Sequence, residues 1–286
     1  RVESEMEVFA LIARANDDPR GFSLLAMVVS LFETGYLAAG AGLFEAFPGA
    51  EPAFKEFLSK GFALKGHYAG KTPECYAFAA ANMKRKYGGD WRAAYADTAH
   101  RRLRHWGLNT IANWSDSGVF LMRRTPYTDN IGSSRARRIE GSGGYWGKFP
   151  DVYDPTFREG IRRSMEGKRG GSASDPWCIG YFSDNEMSWG EDTSLAVAAL
   201  KSPPDQPAKR QFIADLEAKY GGIGGLNAAW GTEHASWEAL RESREAPDPS
   251  KARADLVAFY ARTAETYFRE VRAAIREVAP NQLYLG

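Results

Sequence analysis

Short apolar segments alternate with helical segments along most of the chain, and this order is the feature that most limits its fold. Helices are predicted at 90–107 and 154–168, each with an aspartate at its start. Apolar strands are predicted at 22–32, 108–114, 126–131, 177–183 and 282–286. Alternating strands and helices indicate a parallel sheet covered by helices. A doubly wound sheet and a (β/α) barrel both satisfy this pattern.

The strongest helix of the chain is predicted over residues 248–280. Asp248 is placed to cap it, Pro249 lies in its first turn, and Pro280 ends it. Its apolar side chains recur at helical spacing and predict one buried face, made of Leu256, Tyr260, Tyr267, Val271, Ile275 and Val278. Three shorter helical segments precede it, at 206–222, 226–231 and 236–242.

Charge and cysteine content argue against several classes of function. The formal net charge of +1 argues against nucleic acid or an anionic membrane as a partner, and no apolar run reaches the length of about 18 residues that a membrane span needs. Cys75, Cys178 and the four histidines show neither a disulfide framework nor a metal-ligand spacing. No glycine-rich phosphate loop follows a strand, which argues against a nucleotide-binding fold, and no metal site is predicted. His100 and His105 lie on a helix of the predicted outer layer, with solvent as their expected partner.

The segment GYFSDNEMSWG, residues 180–190, begins as a buried strand and ends in Asp184, Asn185, Glu186 and Trp189. In a parallel barrel the reactive groups lie at the carboxyl ends of the strands. A carboxyl group that lies against aromatic rings is harder to ionise, so a glutamic acid there can stay protonated near neutral pH and act as a general acid. The expected rings are Trp189 and the aromatic side chains of the strand itself. The alternative is that the acidic residues only cap the following helix.

The residue types at this strand end suit sugar recognition. Asn185 can hydrogen-bond a hydroxyl group, and Trp189 offers a flat apolar face to the C–H bonds of a sugar ring. A similar set of residues, Asn113, Trp114 and Asp116, closes an earlier predicted strand. Taken alone, this second set indicates a structural turn with Asp116 as a cap. Two such strand ends in one chain favour a carbohydrate cleft.

Several segments carry a family resemblance. The segment DPWCIGYFSDNEMSWG resembles the end of the fourth strand in clan A glycoside hydrolases, whose mark is an Asn-Glu pair. Further segments are similar to matching pieces of the β-agarase family: ANMKRKYGGDW, WGLNTIANWSD, RRTPY, KYGGIGGLNAAWGT and APNQLYLG. A looser likeness extends to β-galactosidases of the same clan. The resemblance covers roughly residues 75–286, whereas residues 1–70 fit weakly, with VVSLFETG at the place of the first barrel strand.

The resemblance implies an α/β fold of the (β/α)8 TIM barrel type found in glycosidases. About the first five strands would be present, so the barrel is expected to be incomplete as a folding unit. Residues 1–286 would form the N-terminal part of one catalytic domain, and residues 1–70 a poorly defined lead-in that includes the first barrel strand. The chain begins at Arg1 rather than at methionine and shows no signal peptide, so the native start is expected to be missing.

The resemblance also implies roles for individual residues. Glu186 corresponds to the general acid/base of the family, and Asn185 to the residue that binds the sugar hydroxyl next to the reacting carbon. Asn113 and Trp114 correspond to the end of the second strand, and Tyr127 to the end of the third. The family's nucleophile is a second glutamate at the end of the seventh strand. It has no counterpart here, because the chain is expected to reach only the fifth.

The implied function is hydrolysis of a β-linked, galactose-containing polysaccharide such as agarose, by a retaining double displacement. The chain alone is expected to be inactive, since the nucleophile is missing. The alternative is a noncatalytic carbohydrate-binding barrel or a pseudoenzyme. The expected partner is an oligo- or polysaccharide, and no cofactor is required. Secretion or a periplasmic location suits an enzyme that degrades a polysaccharide, whereas the sequence assigns no oligomeric state, linkage, or exo or endo action.

Overall fold

The computed structural model of the protein describes most of the chain: residues 36–38, 55–62 and 66–286. The chain divides into two compact units, Arg1–Pro126 and Tyr127–Gly286. Among the helices of the described ranges, none has the length and apolar character needed to cross a membrane. The strand predicted at 22–32 lies outside the described residues.

A small antiparallel sheet opens the described part of the first unit. Strand β3 (Glu74–Ala77) lies in its middle and pairs with β1 (Tyr36–Ala38) on one edge and β2 (Leu58–Lys60) on the other. The expectation of parallel pairing throughout the chain is wrong for these strands. A parallel pair needs a crossover connection, and the described residues between β2 and β3 (61–62 and 66–73) contain no helix that could supply one.

Three helices lie in the described part of the first unit: α1 (Phe78–Tyr87), α2 (Trp91–His105) and α3 (Ser117–Phe120). Helix α2 confirms the helix predicted at 90–107. The short helix α3 begins after Asp116, whose Oδ1 accepts a 2.7 Å hydrogen bond from the N–H of Gly118. Asp116 is therefore a helix cap, which confirms the prediction of a structural turn capped by Asp116.

The strand predicted at 108–114 is not formed. Ile111 makes a single bridge, in which its N–H donates to the carbonyl oxygen of Pro126 at 2.9 Å. Asn113 and Trp114 lie in a turn, and Trp114 has a φ of 66°. Because a residue in the left-handed region cannot continue an extended strand, the chain turns here before it reaches α3.

His100 is buried within the first unit, so the prediction that it faces solvent is wrong. Its Nε2 lies 2.9 Å from the carbonyl oxygen of Val119, and its Nδ1 lies 2.9 Å from Oγ1 of Thr125. Because a carbonyl oxygen can only accept, Nε2 is the donor to Val119. The imidazole thereby connects α2 to Val119 on α3 and to Thr125. His105 is exposed, as predicted.

A parallel sheet forms the centre of the second unit. Strands β4 (Tyr127–Ile131), β5 (Cys178–Ser183) and β6 (Leu283–Tyr284) lie side by side in chain order. The three strands predicted for this part of the chain, and their parallel pairing, are confirmed. Gly180 lets β5 and β6 approach each other, since a Cβ at this position would lie 2.3 Å from the carbonyl oxygen of Leu283.

Helices connect the strands of this sheet. In this fully described unit, α4 (Pro155–Glu166) follows β4, and five helices lie between β5 and β6: α5 (Ser194–Lys201), α6 (Pro207–Tyr220), α7 (Ile223–Trp230), α8 (Trp237–Glu242) and α9 (Pro249–Val278). Asp154 caps α4 by accepting from the N–H of Thr156, and Asp248 caps α9 by accepting from the N–H of Ser250, each at 2.9 Å. Both predicted caps are confirmed.

The apolar faces of α4 and α9 pack against each other beside the sheet. The predicted face of α9 is buried except at Tyr260, which is half-buried. On α4 the buried side chains are those of Phe157, Ile161 and Met165. The fold of this unit is therefore mixed α/β with a parallel sheet, and the strands of the described residues do not close into a barrel.

Candidate active site

The polar segment that follows β5 leaves the sheet at its carboxyl edge. Ile131, the last residue of β4, lies opposite Ser183, the last residue of β5. The N–H of Asp184 still donates to the carbonyl oxygen of Ile131 at 2.9 Å. Asn185 and Glu186 come next and are both exposed. The sequence therefore placed these two side chains correctly at the end of a parallel strand, where functional groups of α/β proteins gather.

Asp184 fixes the start of this segment through its carboxylate. Oδ1 accepts hydrogen bonds from the backbone N–H of Ser133 at 2.7 Å and from its hydroxyl at 3.0 Å, and Oδ2 accepts from the Tyr267 hydroxyl at 2.8 Å. Burial and the neighbouring Asp184 carboxylate raise the pKa of Tyr267 well above its ordinary value, so the phenol stays a neutral donor. Asp184 thus joins the ends of β4 and β5 to α9 and does not cap a helix.

The backbone of this segment is strained. Asp184 and Glu186 have φ values of 51° and 46°, in the left-handed region that residues with a Cβ rarely occupy. Each such residue costs about 1 kcal/mol or more, and it persists only where surrounding contacts hold it. The hydrogen bonds of Asp184 supply that restraint. Strain of this kind is typical of functional sites, because it points a side chain in a direction that a relaxed backbone would not give.

Glu186 lies beside the exposed indole of Trp146, which the sequence analysis missed and which a second exposed ring, that of Tyr145, adjoins. Its Oε2 accepts a 2.7 Å hydrogen bond from Nε1 of Trp146. The rings of Tyr145 and Trp146 meet edge to face at a centroid distance of 4.6 Å, and the two side chains are 59% and 51% exposed. An aromatic pair in the glycine-rich loop GSGGYWG was the available signal. Large exposed rings beside a carboxylate are unusual on a protein surface and indicate a binding site.

Two of the aromatic rings expected around Glu186, those of Trp189 and Tyr181, pack against other residues. Trp189 stacks on Phe268, with a centroid distance of 5.7 Å and an interplanar angle of 8°, and meets Phe149 at 4.6 Å. Tyr181 is fully buried, and its hydroxyl donates to Ser172 at 3.0 Å. Tyr181 therefore belongs to the core, whereas the place of Trp189 beside the Glu186 carboxylate stays a prediction. Trp189 belongs to an aromatic cluster that occupies one face of its indole.

Tyr127 is not at the end of its strand, and its predicted place at the site is wrong. It is the first residue of β4, opposite Cys178, whereas the site lies beyond the last residues of β4 and β5. The side chain is fully buried, and its hydroxyl donates to Oδ2 of Asp175 at 2.9 Å. Burial and this carboxylate raise the pKa of Tyr127 above its ordinary value. The residue stabilises the amino-terminal edge of the sheet.

Asn113 and Trp114 belong to the first unit, in the turn between Ile111 and α3. Asn113 is half-buried, and Trp114 exposes 52% of its side chain. Exposed indole and amide groups of this kind are able to contact a sugar. Their role as ligand residues stays a prediction.

Metal and thiol chemistry find no support in the part of the chain that is described. Its residues include no group of three or more His, Cys, Asp or Glu side chains that could hold a metal ion. Cys75 and Cys178 are both free and buried. Burial raises the pKa of Cys178 to about 11, so its thiol stays protonated at neutral pH and is a poor nucleophile.

The loop that carries Trp146 packs closely against the segment that follows Glu186. A Cβ added to Gly144 would lie 2.2 Å from Cβ of Ser188 and 1.8 Å from its Oγ, so only glycine fits without a shift. We expect Gly144→Ala to lower the free energy of unfolding by about 1–3 kcal/mol through overpacking. Adding Ser188→Gly removes both clashing atoms and should restore part of the loss. Urea unfolding of the single and double variants measures this; equal stabilities of the two variants would exclude the clash as the cause.

Comparison with known proteins gives the chain a family context. The β-agarase B of Vibrio sp. (strain JT0107) is 35% identical over 234 residues, which is 76% of this chain. The solved structure of an agarase, AgWH50C, matches 84% of this chain with a TM-score of 0.74 at 29% identity. The chain is β-agarase-like in sequence and in fold. This confirms the resemblance that the Asn-Glu segment and its companions indicated.

The β-agarase-like chain matches only part of these proteins. The β-agarase A of the same Vibrio strain is 34% identical over 233 residues. The chain spans about a quarter of the length of the two curated relatives (24% and 23%) and 36% of the solved agarase. No family model matches the chain.

Proposed function

We propose that the β-agarase-like chain carries the general acid/base of a retaining glycoside hydrolase that acts on agarose, and that this residue is Glu186. The observation that carries the proposal is the exposed Glu186 carboxylate beyond the carboxyl end of a parallel strand, with the exposed indole of Trp146 hydrogen-bonded to it and Tyr145 next to that indole. The names of the relatives, β-agarases A and B, support the choice of polysaccharide. Exposed aromatic rings next to an acid are suited to a sugar polymer, because the rings bind its apolar face.

We propose further that the second unit is part of a (β/α)8 barrel. Strands β4, β5 and β6 are parallel and neighbour one another in chain order, with helices in each connection. That order is the one a barrel requires, and it is shared by three strands in one half of a doubly wound sheet. The match to the solved agarase supports the choice of a glycosidase barrel. By the same proposal, residues 1–286 are the N-terminal part of one catalytic domain.

In the proposed reaction Glu186 works twice. As an acid it protonates the oxygen of the leaving sugar while a second carboxylate attacks the anomeric carbon. As a base it then takes a proton from the water that releases the product. The two carboxyl groups of a retaining enzyme lie about 5–5.5 Å apart. Asn185 would hydrogen-bond the hydroxyl next to the reacting carbon, and the reaction requires no cofactor.

The second carboxylate is proposed to come from a part of the protein that corresponds to the unmatched length of the relatives. Among residues 127–286, the acidic side chain nearest in sequence to Glu186 is Asp184, and its two oxygens are already occupied by Ser133 and Tyr267. A carboxylate whose two oxygens are held by three hydrogen bonds is poorly placed to attack a sugar carbon. We therefore do not give Asp184 the role of nucleophile.

Sugar binding without hydrolysis is the second candidate function. The exposed rings of Tyr145 and Trp146 would serve it equally well, because stacking needs no nucleophile. In this case the Glu186 carboxylate would only accept hydrogen bonds from sugar hydroxyl groups. The two candidates differ in whether any glycosidic bond is broken.

The experiment that tests the proposal follows the products of agarose oligosaccharides by proton NMR, with mass spectrometry to identify their length. It uses the 286-residue chain and, if the reading frame continues past Gly286, the longer protein. We expect the new reducing end to appear first as the β-anomer and then to mutarotate, since a double displacement retains configuration. An α-anomer first would contradict the retaining mechanism. Binding without products from either protein would support the second candidate.

A further inference from the structure

The Trp146 side chain meets its surroundings through two different parts. The indole N–H is directed at Oε2 of Glu186, and the ring system is half exposed beside Tyr145. Within the described chain Glu186 forms no ion pair, and this N–H is the one donor to its carboxylate. One side chain therefore offers a hydrogen bond to the acid and an apolar surface to anything bound next to it.

The loop around Trp146 is held at its base. Ser142 Oγ donates to the carbonyl oxygen of Ile139 at 2.7 Å and accepts from the N–H of Phe149 at 2.9 Å, and the N–H of Ile139 donates to the carbonyl oxygen of Phe149 at 2.9 Å. Phe149 and Ile139 are fully buried. These contacts close residues 139–149 into a loop with a fixed base and an exposed tip.

The close approach of Gly144 to Ser188 adds a second restraint, nearer to the tip. It places the loop directly against the chain two residues beyond Glu186. The position of Trp146 relative to Glu186 is therefore set by the loop base and by this contact together, and it does not depend on the indole hydrogen bond alone.

We propose that Trp146 is a positioning residue for Glu186, and that its ring is at the same time a stacking surface for the sugar that Glu186 acts on. This inference rests on the proposed function. The N–H restricts the carboxylate of an otherwise exposed and flexible side chain to one orientation, and such pre-organisation is what a general acid needs. Because one residue performs both roles, sugar bound to the ring lies within reach of the acid.

The test separates the two roles by kinetics. Trp146→Phe keeps a ring and removes the donor, so we expect kcat to fall by about tenfold to a hundredfold, the range for a lost hydrogen bond to a charged group, with KM little changed. Trp146→Ala removes the ring as well as the hydrogen-bond donor, so we expect KM to rise several-fold in addition to the fall in kcat. Trp237→Phe is the matched control: the indole of Trp237 donates to the carbonyl oxygen of Gly221 at 3.2 Å, away from Glu186, and its loss should leave both constants unchanged.

A double-mutant cycle shows whether Trp146 acts through Glu186. In a Glu186→Gln background, Trp146→Phe should cause no further loss of kcat, because the group that it positions no longer transfers a proton. If Trp146→Phe lowered kcat in the Glu186→Gln background by the same factor as in the unmodified enzyme, the inference would be overturned. The inference would also be overturned if Trp146→Phe kept the kcat and KM of the control Trp237→Phe while Glu186→Gln was inactive. In that case the proposed function would stand. Full activity of Glu186→Gln would instead overturn the proposed function.

NMR of the 286-residue chain tests the same inference without turnover. The indole N–H resonance of Trp146, identified by its absence in Trp146→Phe, should move upfield and exchange faster in Glu186→Ala, but not in the control Glu191→Ala. Agarose oligosaccharides should also shift this resonance in the unmodified chain. The inference would be overturned if this resonance shifted neither in Glu186→Ala nor on addition of agarose oligosaccharides. Circular dichroism of each variant confirms that it is folded.

Discussion

Replacing Glu186 with glutamine is expected to lower kcat/KM on agarose oligosaccharides by a factor of about 10² to 10⁴, the range for loss of a general acid. The side chain keeps its size and can still accept the Trp146 hydrogen bond through its amide oxygen, so the fold and the sugar-stacking surface should persist. What disappears is the proton for the leaving sugar oxygen and, later, the base for water. The measurement is steady-state hydrolysis of oligosaccharides of defined length by the longer protein that supplies the second carboxylate, because the 286-residue chain alone is expected to be inactive.

The leaving group makes this prediction specific. Aryl β-galactosides with a good leaving group need no proton, so their first step should survive in Glu186→Gln, and the enzyme should stall as its covalent intermediate. Added azide should then restore turnover and give a β-glycosyl azide, because an anion needs no general base. The control is Glu191→Gln, an exposed glutamate five residues further along the chain, which should retain full activity. Activity of Glu186→Gln on agarose oligosaccharides equal to that of the control would exclude Glu186 as the acid/base.

The sequence predicted the helices and the parallel strands of the second unit because their signals are local. Asp154 and Asp248 each precede a proline and a helical run, and each forms the cap that this pattern implies. The strand at Cys178–Ser183 reads as one apolar run that ends in polar residues, and the structure ends it there. Such features depend on residues a few positions apart, so the sequence alone contains them.

The errors concern contacts between residues that are far apart in sequence. The resemblance placed Tyr127 at the end of its strand, whereas the structure begins β4 with it, opposite Cys178 about 50 residues away. The contact between Trp146 and Glu186 spans 40 residues and comes from an exposed loop without periodicity. His100 owes its burial to Val119 and Thr125, which only the folded unit brings to it. None of these has a local pattern that would reveal it.

The strand predicted at 108–114 failed for a different reason. Its residue types suit a strand, but the backbone of Trp114 adopts a left-handed conformation that composition does not reveal. The same is true of Asp184 and Glu186, whose strained φ values were not predictable from residues that prefer other conformations. Local preference and observed structure therefore disagree at the proposed catalytic residue and at one predicted ligand residue, which is where such conflicts are expected.

Replacing Asp255 with asparagine is expected to destabilise the second unit by about 2–4 kcal/mol at neutral pH, the range for breaking a buried charged network. The Asp255 carboxylate is almost fully buried on α9 and accepts three hydrogen bonds: from Lys219 at 2.6 Å, Tyr220 at 2.7 Å and the indole of Trp230 at 2.8 Å. It thereby joins α6, α7 and α9. In the variant, an amide N–H₂ would replace one of the two oxygens, so at least one of the three donors would lose its acceptor.

The pH dependence of the stability lost in Asp255→Asn identifies the charge of the Asp255 carboxylate as the cause. Burial alone would raise the pKa of Asp255, but the hydrogen bonds from Lys219, Trp230 and Tyr220 outweigh it and hold the pKa below the ordinary value of 3.8. Its stabilisation is therefore fully present above pH 3.8 and is lost as the pH falls through the folded-state value. The stability difference between the unmodified chain and Asp255→Asn, measured by urea unfolding, should shrink over that acidic range.

The matched control for Asp255 is Asp215→Asn. Asp215 pairs with Arg262 at the surface of the same helices and is more exposed, so its loss should cost less than about 1 kcal/mol. If Asp255→Asn destabilised the chain no more than Asp215→Asn, the carboxylate would not join the three helices. If its effect were large but equal at pH 7 and in acid, the lost packing of the side chain, and not its charge, would be the cause. A large difference that fades only in acid is the result that the hydrogen-bond geometry of Asp255 requires.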